Sequence, residues 1–165
     1  MKVGLAGQGA FGIKHLEAIQ KIPGIEVITL TGGNQESTQA VAQKFGIPHY
    51  TGDVAESLKQ PGLEAMILAT PTQMHAQQSI QCLKAGKHVQ VEIPLCDKLA
   101  DGKAVVEAQK KAGLVAMCGH TRRFNPSHQY VHKKIQAGEF NIQQMDVQTY
   151  FFRRTNTNAL GQPRS

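Results

Sequence analysis

The stretch KVGLAGQGAFG, residues 2–12, decides the fold. Residues 2–6 are a short β-type apolar run. Residues 10–22 place Phe11, Leu16, Ile19 and Ile22 at helical spacing as candidate core contacts, and Pro23-Gly24 stops the helix. Between strand and helix stand Gly7, Gly9 and Gly12. Gly7 permits a tight turn, Gly9 leaves the backbone bare, and Gly12 lets the helix pack closely on the strand. A turn of this kind aims backbone N–H groups at one point in front of a helix N-terminus, where the dipole favours negative charge.

The alternation of strand and helix continues downstream. Strands are predicted at residues 25–31, 47–50, 63–69, 88–92 and 114–118. Helices are predicted at residues 35–45, ended by Gly46, and from an Asp53 cap through Leu58, with Glu56 as capping-box partner. A further helix spans 73–85, capped by Thr72 and stopped by Gly86, and another spans 98–112. Repeated β–α units require parallel strands with helical crossovers, so the fold class is α/β with a doubly wound parallel sheet. The continuous apolar runs at 63–69 and 114–118 suit central strands covered on both faces. After a loop at 119–126 the pattern changes. A helix at 127–137 ends at Gly138, and residues 143–152 alternate, with Met145, Val147, Thr149 and Phe151 on one face. This predicts the opening strand of a second, α+β domain. The expected division is a dinucleotide-binding domain at 1–126 and the start of a substrate and oligomerisation domain at 127–165.

Strand, GxGxxG and helix together form the dinucleotide fingerprint of a Rossmann fold. The end of the second strand bears on which dinucleotide binds. NAD-selective sites place an acid there for the ribose hydroxyls. Here Thr31, Gly32, Gly33 and Asn34 offer no acid to repel a 2′-phosphate and no arginine to hold one. The expected cofactor is NADP or NAD, with NADP favoured.

Four segments together resemble the glucose–fructose oxidoreductase / inositol dehydrogenase family of two-domain dehydrogenases. They are Gly7–Gly12, ATPT at residues 69–72 with His75, AGKHVQVEIPL at 85–95, and RFNP at 123–126. The resemblance implies that Ala10 and Phe11 lie under the pyrophosphate. It places Thr70, Pro71, Thr72 and His75 along the cofactor, and Glu92 and Ile93 near the nicotinamide ribose and ring. Arg123 would face the pocket on the nicotinamide side. Much of the family has Glu-Lys-Pro where this chain has Glu92-Ile93-Pro94, and that lysine is the usual proton-transfer group. The runs at 119–130 and 145–154 are similar to a branch that oxidises a dicarboxylate hemiacetal and also carries isoleucine here. A hemiacetal hydroxyl is more acidic than a simple alcohol, so weaker base assistance suffices. Family members are about twice as long and commonly supply an Asp and a His from the missing part, and their second domains often pair subunits into a homo-oligomer.

The charge pattern agrees with an anionic small-molecule partner. The net charge is +6, and residues 120–165 hold seven basic and two acidic side chains; the first 119 hold eleven and ten. Arg122 and Arg123, at the edge where doubly wound sheets bind ligands, and Arg153 and Arg154 are the candidate carboxylate-binding residues. Arg123 and His120 are the candidate catalytic residues. His15, His49, His88, His128 and His132 read as structural or surface groups, and Cys82, Cys96 and Cys118 as reduced structural thiols in a cytoplasmic protein. No metal-ligand spacing and no membrane-length apolar run is present, and a removable targeting peptide is not expected because the folded pattern starts at Lys2. Aromatic residues make up only 5% and no nucleic-acid motif is present, which argues against nucleic acid as the anion. The alternative reading is a non-catalytic dinucleotide-binding regulator on the same fold, motivated by the missing lysine.

Overall fold

The apolar runs of the first 118 residues pair side by side into one parallel sheet. The computed structural model describes residues 1–148 and residue 150; the chain divides into two units, the first Met1–Thr121 and the second starting at Arg122. In the first unit the strands are β1 (Lys2–Ala6), β2 (Glu26–Thr31), β3 (His49–Thr51), β4 (Ala65–Leu68), β5 (His88–Val91) and β6 (Ala116–Cys118). Their order is β3-β2-β1-β4-β5-β6 and every pairing is parallel. The crossovers are α1 (Ala10–Ile19), α2 (Gln35–Phe45), α3 (Val54–Leu58), α4 (Thr72–Lys84) and α5 (Leu99–Ala112).

Side chains alternate along the strands and build two cores. Leu5, Leu30 and Ile67 pack with Leu16 of α1 and Ala42 of α2. On the opposite face Met66, Leu68, Val89 and Val91 pack with Val54 and Leu58 of α3 and Cys82 and Leu83 of α4. The sheet is therefore covered on both faces, as doubly wound connectivity requires. The chain runs outward from β1 to β3 and returns to β4 beside β1. The switch in direction thus lies between β1 and β4, where such sheets open a crevice at their carboxyl ends.

Several sequence expectations need correction. In α1 the buried stripe is Gly12, Leu16 and Ile19, spaced four and three apart. Phe11 lies one position off that stripe and Ile22 lies past the helix end, so both are exposed, at 70% and 48%. Asp53 does cap α3, accepting from the Ala55 N–H at 2.9 Å, but no capping box closes: Asp53 N–H donates to Thr51 Oγ1, and Glu56 accepts from Lys59 Nζ at 2.6 Å. Thr72 is the first residue of α4 rather than its cap; the extended Pro71 precedes it, and Thr70 Oγ1 donates to Gln78 Oε1 instead. β4 is central as expected, but β6 is an edge strand with β5 as its neighbour. Val115 and Met117 are accordingly 61% and 52% exposed.

The second unit begins at Arg122, within the 3-10 turn Thr121–Phe124, and continues into α6 (Pro126–Gln136). Asn125 caps α6, its Oδ1 accepting from the Ser127 N–H at 3.0 Å, with Pro126 in the first turn. Residues 143–148 contain no strand. A strand exists only when its N–H and C=O groups find a partner edge, and none is present beside this segment among the described residues. Thr149, Phe151 and Phe152 of that expectation lie outside the described residues. Among the described residues, no helix is long and apolar enough to cross a membrane.

Cys82 illustrates the dryness of the α4 core. It is fully buried, and burial pushes its thiol up to about 12. An unfolded cysteine ionises near pH 8.5. Below that pH both states hold the proton and the full stability is present. Between about pH 9 and 12 the unfolded chain releases a proton that the folded chain keeps, so stability falls by about 1.4 kcal/mol per pH unit. Urea midpoints of wild type and Cys82→Ala, compared across this window, are expected to converge with a slope of one proton. Parallel curves would contradict the burial of this thiol.

Candidate functional site

The crevice is built from three strand ends. Gly7, just past β1, takes φ +106°, and its N–H donates to the Thr31 carbonyl of β2 at 2.8 Å. On its other side Ala69 N–H donates to the Ala6 carbonyl at 2.8 Å. A β-carbon on Gly7 would stand 2.3 Å from the Ala69 carbonyl oxygen, and one on Gly12 would stand 1.7 Å from the Gly7 carbonyl oxygen. These two glycines are demanded by backbone packing. Gly9 differs: a β-carbon there would meet nothing within 4 Å. The fold does not need glycine at this point, so the open space in front of it is room for a ligand. Gly9 also caps α1 without any side-chain bond, and the first turn holds no acid. The N–H groups of Ala10 and Phe11 are thus left to an external anion. A diphosphate fits this cradle.

Beyond β2 and β3 lies a cavity of about 390 Å³ lined by Gly32, Gly33, Gln35, Thr38, Tyr50 and Thr51, among others, with no carboxylate in the lining. Asn34 is committed to the fold, its Oδ1 accepting from the Ser37 N–H at 2.9 Å to cap α2. Gln8 reaches across the mouth, with Nε2 donating to Ser37 Oγ at 3.2 Å. Sequence reading missed Gln8, Thr38 and Tyr50; their positions just past β1, in the first turn of α2 and within the short strand β3 were the available signal.

On the other side of β1, two loops are tied together by His75. It is 1% exposed, with Nε2 2.7 Å from the Thr70 carbonyl and Nδ1 2.7 Å from the Pro94 carbonyl. His75 therefore positions the loop of Thr70, Pro71 and Thr72 against the loop of Glu92, Ile93 and Pro94. Glu92 follows β5, its N–H donating to the Leu68 carbonyl at 2.9 Å and its Oε1 meeting His15 Nε2 at 2.7 Å. This contact joins α1 to the β5 loop across 77 positions of sequence, and His15 read as a surface or structural group. Ile93 is 46% exposed. The Cys118 thiol is pushed up by burial and then by the Glu92 charge, so it stays protonated and is a poor nucleophile. His120 lies just after β6, and its Nδ1 stands 3.2 Å from the Cys118 carbonyl. A carbonyl only accepts, so Nδ1 carries the hydrogen, and in the neutral ring Nε2 is then the nitrogen with the lone pair.

Arg122 and Arg123 belong to the second unit, where they line a groove of about 660 Å³ with His128, Gln129, His132 and Lys133. Arg153 and Arg154 lie outside the described residues. Among the described residues no group of three His, Cys, Asp or Glu side chains converges on a metal-sized point.

The family model described as "oxidoreductase family, NAD-binding Rossmann fold" matches residues 1–120. The chain belongs to this oxidoreductase family. A second model, "bacterial oxidoreductases, C-terminal", matches residues 126–165. Among the family's curated members, the chain is 57% identical over all 165 residues to a 4-carboxy-2-hydroxymuconate-6-semialdehyde dehydrogenase from Sphingobium sp., and spans 52% of that protein. It is 31% identical to a scyllo-inositol 2-dehydrogenase (NAD(+)) of Bacillus subtilis over 84% of this chain and 41% of that one. The WlbA dehydrogenase of Bordetella pertussis, solved with NADH and UDP-GlcNAcA, superposes with a TM-score of 0.80 at 32% identity, covering 85% of this chain and 40% of that chain. The chain thus spans about half the length of the Sphingobium relative and about two-fifths of the other two.

Proposed function

We propose that this chain is the dinucleotide-binding half of an NAD(P)-dependent dehydrogenase that oxidises the cyclic hemiacetal of 2-hydroxy-4-carboxymuconate semialdehyde to 2-pyrone-4,6-dicarboxylate. The 57% identity to the Sphingobium semialdehyde dehydrogenase, unbroken over the whole chain, carries this reading. The division at residues 126 and 127 between dinucleotide and substrate domains belongs to the same proposal, as does assembly into a homo-oligomer.

The bound coenzyme supplies the acceptor for the hydride that leaves the hemiacetal carbon. Gly7, Gly9, Ala10, Phe11 and Gly12 hold its diphosphate. Gly33 and Asn34 stand at the adenosine ribose, where the cavity lining of Gly32, Gln35, Thr38, Tyr50 and Thr51 presents no negative charge to a 2′-phosphate. NADP is therefore the preferred coenzyme. Thr70, Pro71, Thr72 and Glu92 border the nicotinamide side, held by His75, and Ile93 presents an apolar surface where much of the family has lysine. The hydroxyl proton passes to Nε2 of His120, whose other nitrogen is fixed by the Cys118 carbonyl. Arg123, with Arg122, Arg153 and Arg154, holds the substrate carboxylates by paired hydrogen bonds.

The experiment is steady-state reduction of NADP and NAD by the full-length protein with the hemiacetal, comparing wild type with His120→Gln. The expected result is a higher kcat/KM for NADP and a loss of about 10²-fold in kcat for the variant, the usual scale of general-base assistance. Coenzyme binding without turnover would instead favour the regulatory reading, and an NAD preference would overturn the coenzyme assignment.

A further inference from the structure

The loop that leaves β5, Glu92-Ile93-Pro94, is fastened at both ends. At its far end the Pro94 carbonyl lies 2.7 Å from Nδ1 of His75. At its near end Oε1 of Glu92 stands 2.7 Å from Nε2 of His15, and an ionised carboxylate only accepts, so that nitrogen carries the hydrogen. The His15 and Glu92 side chains are 24% and 13% exposed. A carboxylate so withdrawn from water depends on its partner, because leaving it without a hydrogen bond is costly. The end of β6 makes room for the same group. The Gly119 N–H donates to the Val91 carbonyl at 2.7 Å, and a β-carbon on Gly119 would stand 3.2 Å from Glu92 Oε1 and 2.6 Å from Gln90 Nε2. Gly119 is not among the glycines of positive φ, so it answers to the space beside the carboxylate and not to its backbone angle.

His15 stands on α1 five residues after Ala10, about 7.5 Å along the helix axis. Gly12, Leu16 and Ile19 are buried and seat this helix on the sheet. The helix that opens at the diphosphate cradle therefore also grips the loop that carries Ile93. We infer that His15 is a positioning residue for the coenzyme: by holding Glu92 it fixes the β5 loop relative to the diphosphate cradle, and with it the seat of the nicotinamide beside Ile93. It acts through Glu92 and not on the coenzyme itself. The inference rests on the dehydrogenase reading, which supplies the place of the nicotinamide. A dinucleotide is anchored at its diphosphate and reacts at its ring, and a misplacement of about 1 Å at the reacting atoms costs about 100-fold in rate. One helix gripping both places removes the play between them. By sequence His15 is a surface or structural group 77 positions from Glu92; the contact is what gives it this task.

The test separates the two halves of the dinucleotide. Calorimetry on the full-length protein compares NADPH and NADH with their fragments, 2′-phospho-ADP and ADP, which lack the nicotinamide and its ribose. The proteins are wild type, His15→Ala, His15→Gln and Gly119→Ala, and kinetics with the hemiacetal are run on all four. His15→Ala is expected to weaken the whole coenzyme about ten-fold, to leave the fragment within about two-fold, and to lower kcat about ten-fold. His15→Gln, whose amide donates to the same carboxylate, recovers most of both. Gly119→Ala presses on that carboxylate from β6 and is expected to repeat the His15→Ala pattern. Melting curves show which variants are folded, and Gly119→Ala carries the test if His15→Ala is not. Equal loss of coenzyme and fragment overturns the inference, because the pair then only supports the fold. Unchanged coenzyme affinity in His15→Ala overturns it as well. If wild type and His15→Ala oxidise the hemiacetal equally, the dehydrogenase reading stands and the inference falls. If the hemiacetal is not oxidised but His15→Ala loses the whole coenzyme and keeps the fragment, that reading fails and the positioning role stands.

Discussion

Gly9→Ala is expected to melt with the wild-type chain and yet bind NADP and NAD at least ten-fold more weakly, about 1.4 kcal/mol or more. The backbone at Gly9 has φ −71° and ψ −174°, which any L-residue adopts, and an added β-carbon meets no atom within 4 Å. Nothing in the folded chain therefore resists the methyl group, and the shift in stability is expected to stay within about 1 kcal/mol. What the methyl group does occupy is the space before the Ala10 and Phe11 amides. Gly12→Ala is the contrasting case. Its β-carbon would fall 1.7 Å from the Gly7 carbonyl oxygen and 2.9 Å from its carbon. Those atoms are backbone, held on the far side by the Gly7 N–H bond to Thr31, so the loss is expected to reach about 3 kcal/mol or more. Melting curves paired with calorimetry for both variants decide the matter. Undiminished coenzyme affinity in Gly9→Ala would mean that the diphosphate does not cross this turn.

His75→Ala is expected to destabilise the chain by about 2–4 kcal/mol, from a lost buried ring and the lost hydrogen bond that its N–H donates to one of the two carbonyls, Thr70 or Pro94. Coenzyme affinity is expected to fall with it, because the Thr70 and Glu92 loops lose their common fastening. His75→Gln, whose amide N–H group can restore the donor but not the ring, is expected to recover part of the stability. Chemical denaturation of the three proteins checks the order. A His75→Ala chain as stable as wild type would show that the ring merely fills space.

Much of this architecture was legible beforehand because it rests on local backbone rules. The α2 boundaries coincide with the expectation, since Asn34 opens that helix and the left-handed Gly46 closes it. The parallel sheet followed from the alternation of apolar runs with helical ones. What escaped was decided by partners far away in sequence. The run at 114–118 is as apolar as a central strand, but composition cannot count neighbours, and β6 has β5 beside it at the sheet's edge. The contact of His15 with Glu92 joins residues 77 positions apart, and no local pattern announces it. Thr72 looked like a cap because its hydroxyl suits that role, but Pro71 already holds the extended conformation that precedes the helix. The glycine turn was legible as a unit, whereas the difference between Gly9 and its two neighbours is visible only in three dimensions.

Both rims of the sheet are three-residue strands, His49–Thr51 and Ala116–Cys118. A stray polypeptide laying itself alongside either rim could form only a few main-chain bonds before running out of template. The brevity of these outermost strands thus works as a safeguard against runaway self-association. It matters more at the β6 rim, where greasy side chains face water, than at the β3 rim, where histidine, tyrosine and threonine do.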